Sequence, residues 1–178
     1  MLRALVSRIR VPVGFVMAIL YFYVCQPTPL SLLWGAGIAL FGIILRAWAS
    51  GHLYKNQRMA TSGAYAYTRN PLYLGSFIIG LGFCLVTRSY GITAIFVILF
   101  AILYIPLMQH ETEHMRAVFG SEYARYEAGV PSFLPRLTPS KDVPTPFSFH
   151  QYVANKEYKA LLGYVAALGL LFLKMSLS

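Results

Sequence analysis

The chain has 178 residues, of which 57% are hydrophobic and only 12% charged, with a formal net charge of +9. That length fits one domain, but the composition is too apolar for an ordinary soluble protein and points to an all-α, polytopic membrane bundle. The basic residues are scattered over separate loops and form no stripe, which argues against a nucleic-acid partner.

Apolar runs at Val11 to Cys25, Leu30 to Ala49, Leu72 to Val86, Ile92 to Met108 and Ala160 to Leu173 carry no charge except Arg46. A helix crosses a bilayer with about 20 apolar residues, or fewer when its flanks snorkel, so about five transmembrane helices are expected. Arg3, Arg8 and Arg10 lead into the first run, which ends at Gln26-Pro27 without a small-residue cleavage site. It is therefore expected to be a retained helix rather than a cleaved signal. The rigid turn Gln26-Pro27-Thr28-Pro29 sends the second helix back antiparallel, and Gly35, Gly37 and Gly42 suit close packing in lipid.

From Gly51 to Asn70 the chain is polar and aperiodic. Asn70-Pro71 marks the next helix start, because proline disfavours the helical region in the preceding residue yet fits a helix's first turn. The unpaired N–H groups of that turn then face the polar segment. A tight turn at Arg88-Ser89-Tyr90-Gly91 begins the return helix, and Pro106 is expected to bend or loosen its last turns. All six acidic residues lie at or beyond Glu111. Glu111 to Glu127 reads as helix broken near Phe119-Gly120, with Tyr123 and Tyr126 on one face and Val130, Pro131 and Pro135 ending it. A proline-rich connector from Thr138 to Phe149 leads to an extra helix at about 158–174.

With five crossings from a cytoplasmic N-terminus, Arg88 and Lys174 alone fall outside, and Arg46 sits near the inner end of its helix. The positive-inside rule thus places the chain in an inner, cytoplasmic membrane with its N-terminus and polar stretches inside, where the net charge also attracts anionic lipid. Cys25 and Cys84 form no spacing motif, and His110 and His114 do not suggest a metal site. The hairpin of the third and fourth helices brings Pro71 and Tyr73 to the depth of His110 and Glu111, where Arg69 and Glu111 could pair, either in a site or as a structural salt bridge at a loop junction.

Two signatures frame that hairpin. Thr61-Ser62-Gly63-x-Tyr65-x-x-x-Arg69-x-Pro71-x-Tyr73-x-Gly75 resembles the cofactor segment of the isoprenylcysteine carboxyl methyltransferase family and the related phospholipid methyltransferases. Glu111-x-x-x-Met115-x-x-x-Phe119-Gly120-x-x-Tyr123-x-x-Tyr126-x-x-x-Val130-Pro131 resembles the same family's second signature, and together they span roughly residues 50 to 137. The resemblance implies a membrane enzyme that transfers a methyl group from S-adenosylmethionine to a lipophilic acceptor, leaving S-adenosylhomocysteine. Carried across, the cofactor contacts fall on Lys55, Gln57, Arg58, Met59, Ala60, Tyr65, Asn70, Pro71, Leu72 and Tyr73, with Glu111 and Arg69 as candidate catalytic residues.

The chemistry is consistent with those assignments. The methionine end of the cofactor is a zwitterion and its sulfonium a cation, so a site at the membrane edge must supply carboxylate, N–H and hydroxyl partners. Glu111, Tyr65, Tyr73 and the start of the third helix offer them, while Met59, Leu72 and the loop tyrosines suit an adenine slot. Tyr21, Tyr23 and Tyr104 read as interfacial anchors. This chain departs from the family's usual pattern at Asn70 (histidine), Thr112 (a second glutamate) and, relative to the eukaryotic enzymes, Leu107 (arginine). Cofactor binding survives these changes more readily than a prenyl-protein substrate does. A carboxylate acceptor needs no base because it is already ionised, whereas an amine would give Glu111, His110 or His114 a base role. The expected activity is carboxyl or other oxygen methylation of a lipid-like molecule, with no metal. The alternatives are a phospholipid N-methyltransferase and a non-catalytic lipid- or partner-binding membrane protein. A reductase is disfavoured by the lack of a nicotinamide fingerprint.

Overall fold

The computed structural model describes residue 14 and residues 16–54, 58–140 and 145–177. Residues 16–24 are helical (α1), followed by α2 (Pro29–Ser50), a 3-10 turn (Gly63–Ala66), α3 (Pro71–Thr87), α4 (Tyr90–Gly129), α5 (Phe149–Ala154) and α6 (Tyr158–Leu177). No strand occurs among the described residues. The protein is an all-α membrane bundle. Helices α2, α4 and α6 are each long and apolar enough to cross a bilayer, and α3 is a shorter apolar helix of 17 residues. Part of the first apolar run lies outside the described residues.

The lipid-facing character shows in what is left uncovered. Ile95, Ile98, Ile102 and Ile105 of α4 are exposed and recur every three or four residues, so they form one apolar stripe where a water-soluble helix would be polar. Trp34, Phe41 and Ile44 on α2 and Leu162, Val165 and Phe172 on α6 are exposed in the same way.

Local chemistry sets the ends of these helices. Thr28 and Ser31 form a reciprocal capping box ahead of Pro29 at the first turn of α2, satisfying donors that would otherwise be orphaned. Thr28→Ala should lower the midpoint of thermal unfolding in detergent by the equivalent of about 1 kcal/mol, read by intrinsic fluorescence. Only Arg88 and Ser89 separate α3 from α4. Arg88 takes the left-handed conformation (φ 54°) and Ser89 caps α4 by accepting from the Ile92 N–H, so the two helices must run antiparallel.

The backbone of α4 stays helical through Pro106; the interruption falls at Gly120 (φ 50°, ψ −123°), a conformation suited to glycine. Residues 11 apart in a straight helix are separated by about 16 Å. Yet Arg116 Nε donates to Glu127 Oε2 at 2.7 Å, and the Tyr123 hydroxyl donates to Thr112 Oγ1 at 3.5 Å. Gly120 therefore folds residues 121–129 back along the preceding turns.

Close packing of α2 on α3 is the centre of the bundle. A Cβ on Gly82 would lie 2.6 Å from both Ala39 N and Gly35 O, and one on Gly42 would lie 2.7 Å from Gly75 O. Backbone thus meets backbone along this seam, as small residues permit in lipid. Gly37, by contrast, meets nothing within 4 Å. Helix α6 lies along α2, joined to it by Tyr164, whose hydroxyl donates to Ala36 O at 3.0 Å.

Candidate functional site

At the polar end of the bundle the two signatures are zipped together through backbone and side-chain hydrogen bonds. The N–H groups of Arg69, Arg136 and Ser140 donate to Pro131 O, Tyr67 O and Ala66 O at 2.9, 3.0 and 2.9 Å. Thr68 Oγ1 donates to Phe133 O at 3.0 Å, Asn70 Nδ2 to Ser132 O at 2.9 Å, and the Tyr126 hydroxyl to Tyr65 O at 2.8 Å. Buried polar backbone is satisfied here without sheet or helix, so each segment completes the other. Phe133 then reaches between the helices, with its ring centroid 5.7 Å from Phe77 and 6.1 Å from Phe100.

Three cavities follow one another from this end into the bundle. The first, about 560 Å³, is lined by Tyr54, Arg58 and Ala60 on one side and Met115, Phe119 and Tyr123 on the other. The second, about 230 Å³, is bounded by Pro71, Leu72, Tyr73, Ser76, Tyr104 and Arg46. Both share the wall made by Tyr65, Arg69, Asn70 and Glu111. The third, about 360 Å³ and overwhelmingly apolar, shares Ser76 and Tyr104 with the second and continues between α3 and α4 past Gly80, Phe96 and Phe100.

Most of the sequence-predicted residues come together in this arrangement. Tyr73 and Glu111, 38 positions apart, face one cavity, and the Tyr73 ring packs 5.6 Å from that of Tyr104. Tyr65 is buried, and burial together with repulsion from the Glu111 carboxylate pushes its phenol well above the usual range, so it stays neutral. Asn70 lines both polar cavities, but its amide N–H groups are spent on Ser132. Arg58 is exposed, with its guanidinium stacked 3.7 Å over the Tyr54 ring. Lys55 and Gln57 lie outside the described residues.

Several expectations need correction. Arg69 does not pair with Glu111. Its Nη1 donates to Glu127 Oε1 at 2.5 Å and to the Tyr123 hydroxyl at 3.2 Å, because the reversal at Gly120 carries Glu127 back to it. Its Nε is buried without a partner among the described residues. Met59 does not border the cavities; it packs against the buried cluster of Tyr123, Tyr126 and Val130. Tyr104, read from sequence as an interfacial anchor, stands where the polar and apolar cavities meet. Arg46 and Ser76 also line the site and were missed as site residues, although an arginine inside an apolar run is a signal that could have found the first.

The profile of the phospholipid methyltransferase family matches residues 30–122, more than half the chain, from the second residue of α2 to just past Gly120. The chain belongs to that family. Among curated members similar to this family chain, the cobalt-zinc-cadmium resistance protein CzcN of Cupriavidus metallidurans is 33% identical over 137 residues, 72% of this chain and 62% of its own. The nickel-cobalt-cadmium resistance protein NccN of Alcaligenes xylosoxydans xylosoxydans is 30% identical over 95 residues, 52% of this chain and 44% of its own. A protein-S-isoprenylcysteine O-methyltransferase of Schizosaccharomyces pombe is 31% identical over 83 residues, 47% of this chain and 35% of its own. The chain thus spans less than two thirds of the length of each of these relatives. No solved structure matches it.

The residues present fit the donor that family membership implies. Asn70 makes no side-chain cap to the first turn of α3, and that turn lies beside the 230 Å³ cavity, a position suited to a carboxylate. Glu111 carries no ion pair among the described residues and borders both polar cavities, which suits a cationic group. Among the described residues no group of three histidine, cysteine or acidic side chains is assembled as a metal-binding set.

Proposed function

We propose that the protein is a membrane methyltransferase that moves a methyl group from S-adenosylmethionine to a carboxylate or other oxygen of a lipophilic acceptor. The observation that carries this reading is the run of adjoining cavities, polar at one end and apolar at the other, with Glu111 and Tyr73 on the polar side and Ser76 and Tyr104 bordering both. A water-soluble, charged donor and a lipid-soluble acceptor can meet only where both environments touch. The charge asymmetry of the loops favours a cytoplasmic site.

When bound, S-adenosylmethionine would supply an electrophilic methyl group to the acceptor oxygen and leave as S-adenosylhomocysteine. An ionised carboxylate needs no proton removed, so the protein's part is to orient the reactants and exclude water. Glu111 holds positive charge at the shared wall, the α3 N-terminus and Tyr73 hold the polar end of the donor, and Arg69 braces the wall through Glu127 and Tyr123. Lys55, Gln57, Arg58 and Ala60 complete the donor's side in this reading.

Calorimetry in detergent should register S-adenosylhomocysteine at micromolar affinity, and absence of binding would sink the proposal. Tritiated methyl transfer into extracted membrane lipid should give a base-labile product; a base-stable methylamine would instead establish N-methylation. Tyr73→Ala should weaken S-adenosylhomocysteine binding by about tenfold. Tyr21→Ala, whose hydroxyl donates to Phe83 O and which lines the apolar cavity but neither polar one, should leave that affinity unchanged.

A further inference from the structure

The one charged residue within the apolar run of α2 is held in an unusually complete setting. Arg46 Nε and Nη2 donate to the two oxygens of Glu157 at 3.0 and 2.7 Å, a bidentate pair with both side chains largely buried. Its Nη1 donates to Leu72 O at 3.1 Å and Ser76 Oγ at 2.5 Å. Gly75 makes room for the arginine stem, since a Cβ there would lie 2.5 Å from Arg46 Cγ. Four of the five guanidinium N–H groups are therefore used, and one on Nη2 remains.

Glu157 reaches Arg46 because of a strained turn. Lys156, a non-glycine residue, adopts φ 60°, while on its other side Asn155 Nδ2 donates to Ser50 O and Leu53 O at 3.1 and 2.9 Å. Asn155 and Glu157 thus read two positions one helical turn apart on α2, and the turn between α5 and α6 is fixed from both ends. Glu157 lies beyond the family-matched residues, so a later part of the chain orients a side chain within them.

A latch at the lipid boundary could be built more cheaply from apolar residues, because desolvating two charges offsets most of their attraction. What an apolar latch would not do is place a fixed guanidinium, with one N–H unspent, at the wall of the 230 Å³ cavity, beside Ser76, Tyr104 and Glu111. We propose that Arg46, oriented by Glu157, selects acceptors that carry an anionic oxygen, and that it docks that oxygen at the mouth of the apolar cavity. This rests on the oxygen-methylation reading above. Methylation would convert the bound anion to a neutral ester and remove its attraction to Arg46, favouring release.

The test is competition binding of palmitate and palmityl alcohol to the full chain in nanodiscs, alongside S-adenosylhomocysteine binding in the same preparation. The wild type should prefer palmitate by at least about tenfold. Arg46→Lys and Glu157→Gln should each reduce that preference severalfold, as a lysine cannot reproduce the planar fork and a glutamine cannot hold the guanidinium in a charged bidentate pair. The exchanged pair Arg46→Glu with Glu157→Arg separates latch from selector. It should restore the thermal midpoint without restoring the preference for palmitate. Recovery of that preference by the exchanged pair, equal binding of acid and alcohol by the wild type, or an unchanged preference in Glu157→Gln would overturn the inference. Loss of S-adenosylhomocysteine binding in the wild type would instead overturn the methyltransferase reading.

Discussion

Glu111→Gln is expected to reduce methyl transfer by roughly 100-fold, with most of the loss in kcat, because a small misplacement of reacting groups costs that much. Glu111 is the carboxylate that borders both polar cavities, and in the proposed reading it is the group that holds positive charge on the donor. Its side chain is exposed and has no ion pair among the described residues, so removing the charge should spare the fold. Glu111→Asp keeps the charge but withdraws it by one methylene, and should fall between the glutamine variant and the wild type. The measurement is single-turnover transfer of tritiated methyl groups with the thermal midpoint recorded on the same samples. Full activity in Glu111→Gln would remove this residue from the site.

The second large effect is expected on the fold. Gly82→Leu places a branched side chain where even a Cβ would be 2.6 Å from Ala39 N and Gly35 O, and a neighbouring backbone cannot step aside as a flexible side chain can. Overpacking in a rigid seam costs about 1–3 kcal/mol and occasionally more, and this position belongs at or above the top of that range. Gly37→Leu on the facing helix is the control, since nothing lies within 4 Å of it. Size-exclusion profiles and thermal unfolding in detergent should show the Gly82 variant aggregated or strongly destabilised and the Gly37 variant unchanged. Similar behaviour of the two would mean that the α2–α3 seam does not hold the bundle together.

The contrast between Gly82 and Gly37 also shows what a linear sequence withholds. Both are glycines in apolar helices, and only the register of α2 against α3 makes one indispensable. The break at Gly120 was legible as a glycine after Phe119, in a stretch where charged and tyrosyl residues recur. Its sharpness was not, and that sharpness returns Glu127 to Arg69 and displaces the expected partner, Glu111. Met59 illustrates the same gap: an apolar residue beside a cofactor motif suits a base slot, but the returning helix brings Tyr123 and Tyr126 against it, and it packs there partly buried.

What the sequence alone determined is the class of molecule: apolar runs long enough for lipid, their punctuation by proline and glycine, and two signatures separated by a there-and-back hairpin. These are properties of local composition and spacing, which survive without knowledge of neighbours. Tertiary structure decided which charges meet and which cavities adjoin. Arg46 and Glu157 are 111 residues apart, and their pairing depends on the positive-φ turn at Lys156 and on α6 lying along α2. The meeting of polar and apolar cavities at Ser76 and Tyr104 likewise depends on how α3 and α4 pack. Such contacts join groups distant along the chain, so no local pattern encodes them, and the packing of helices in lipid sets them.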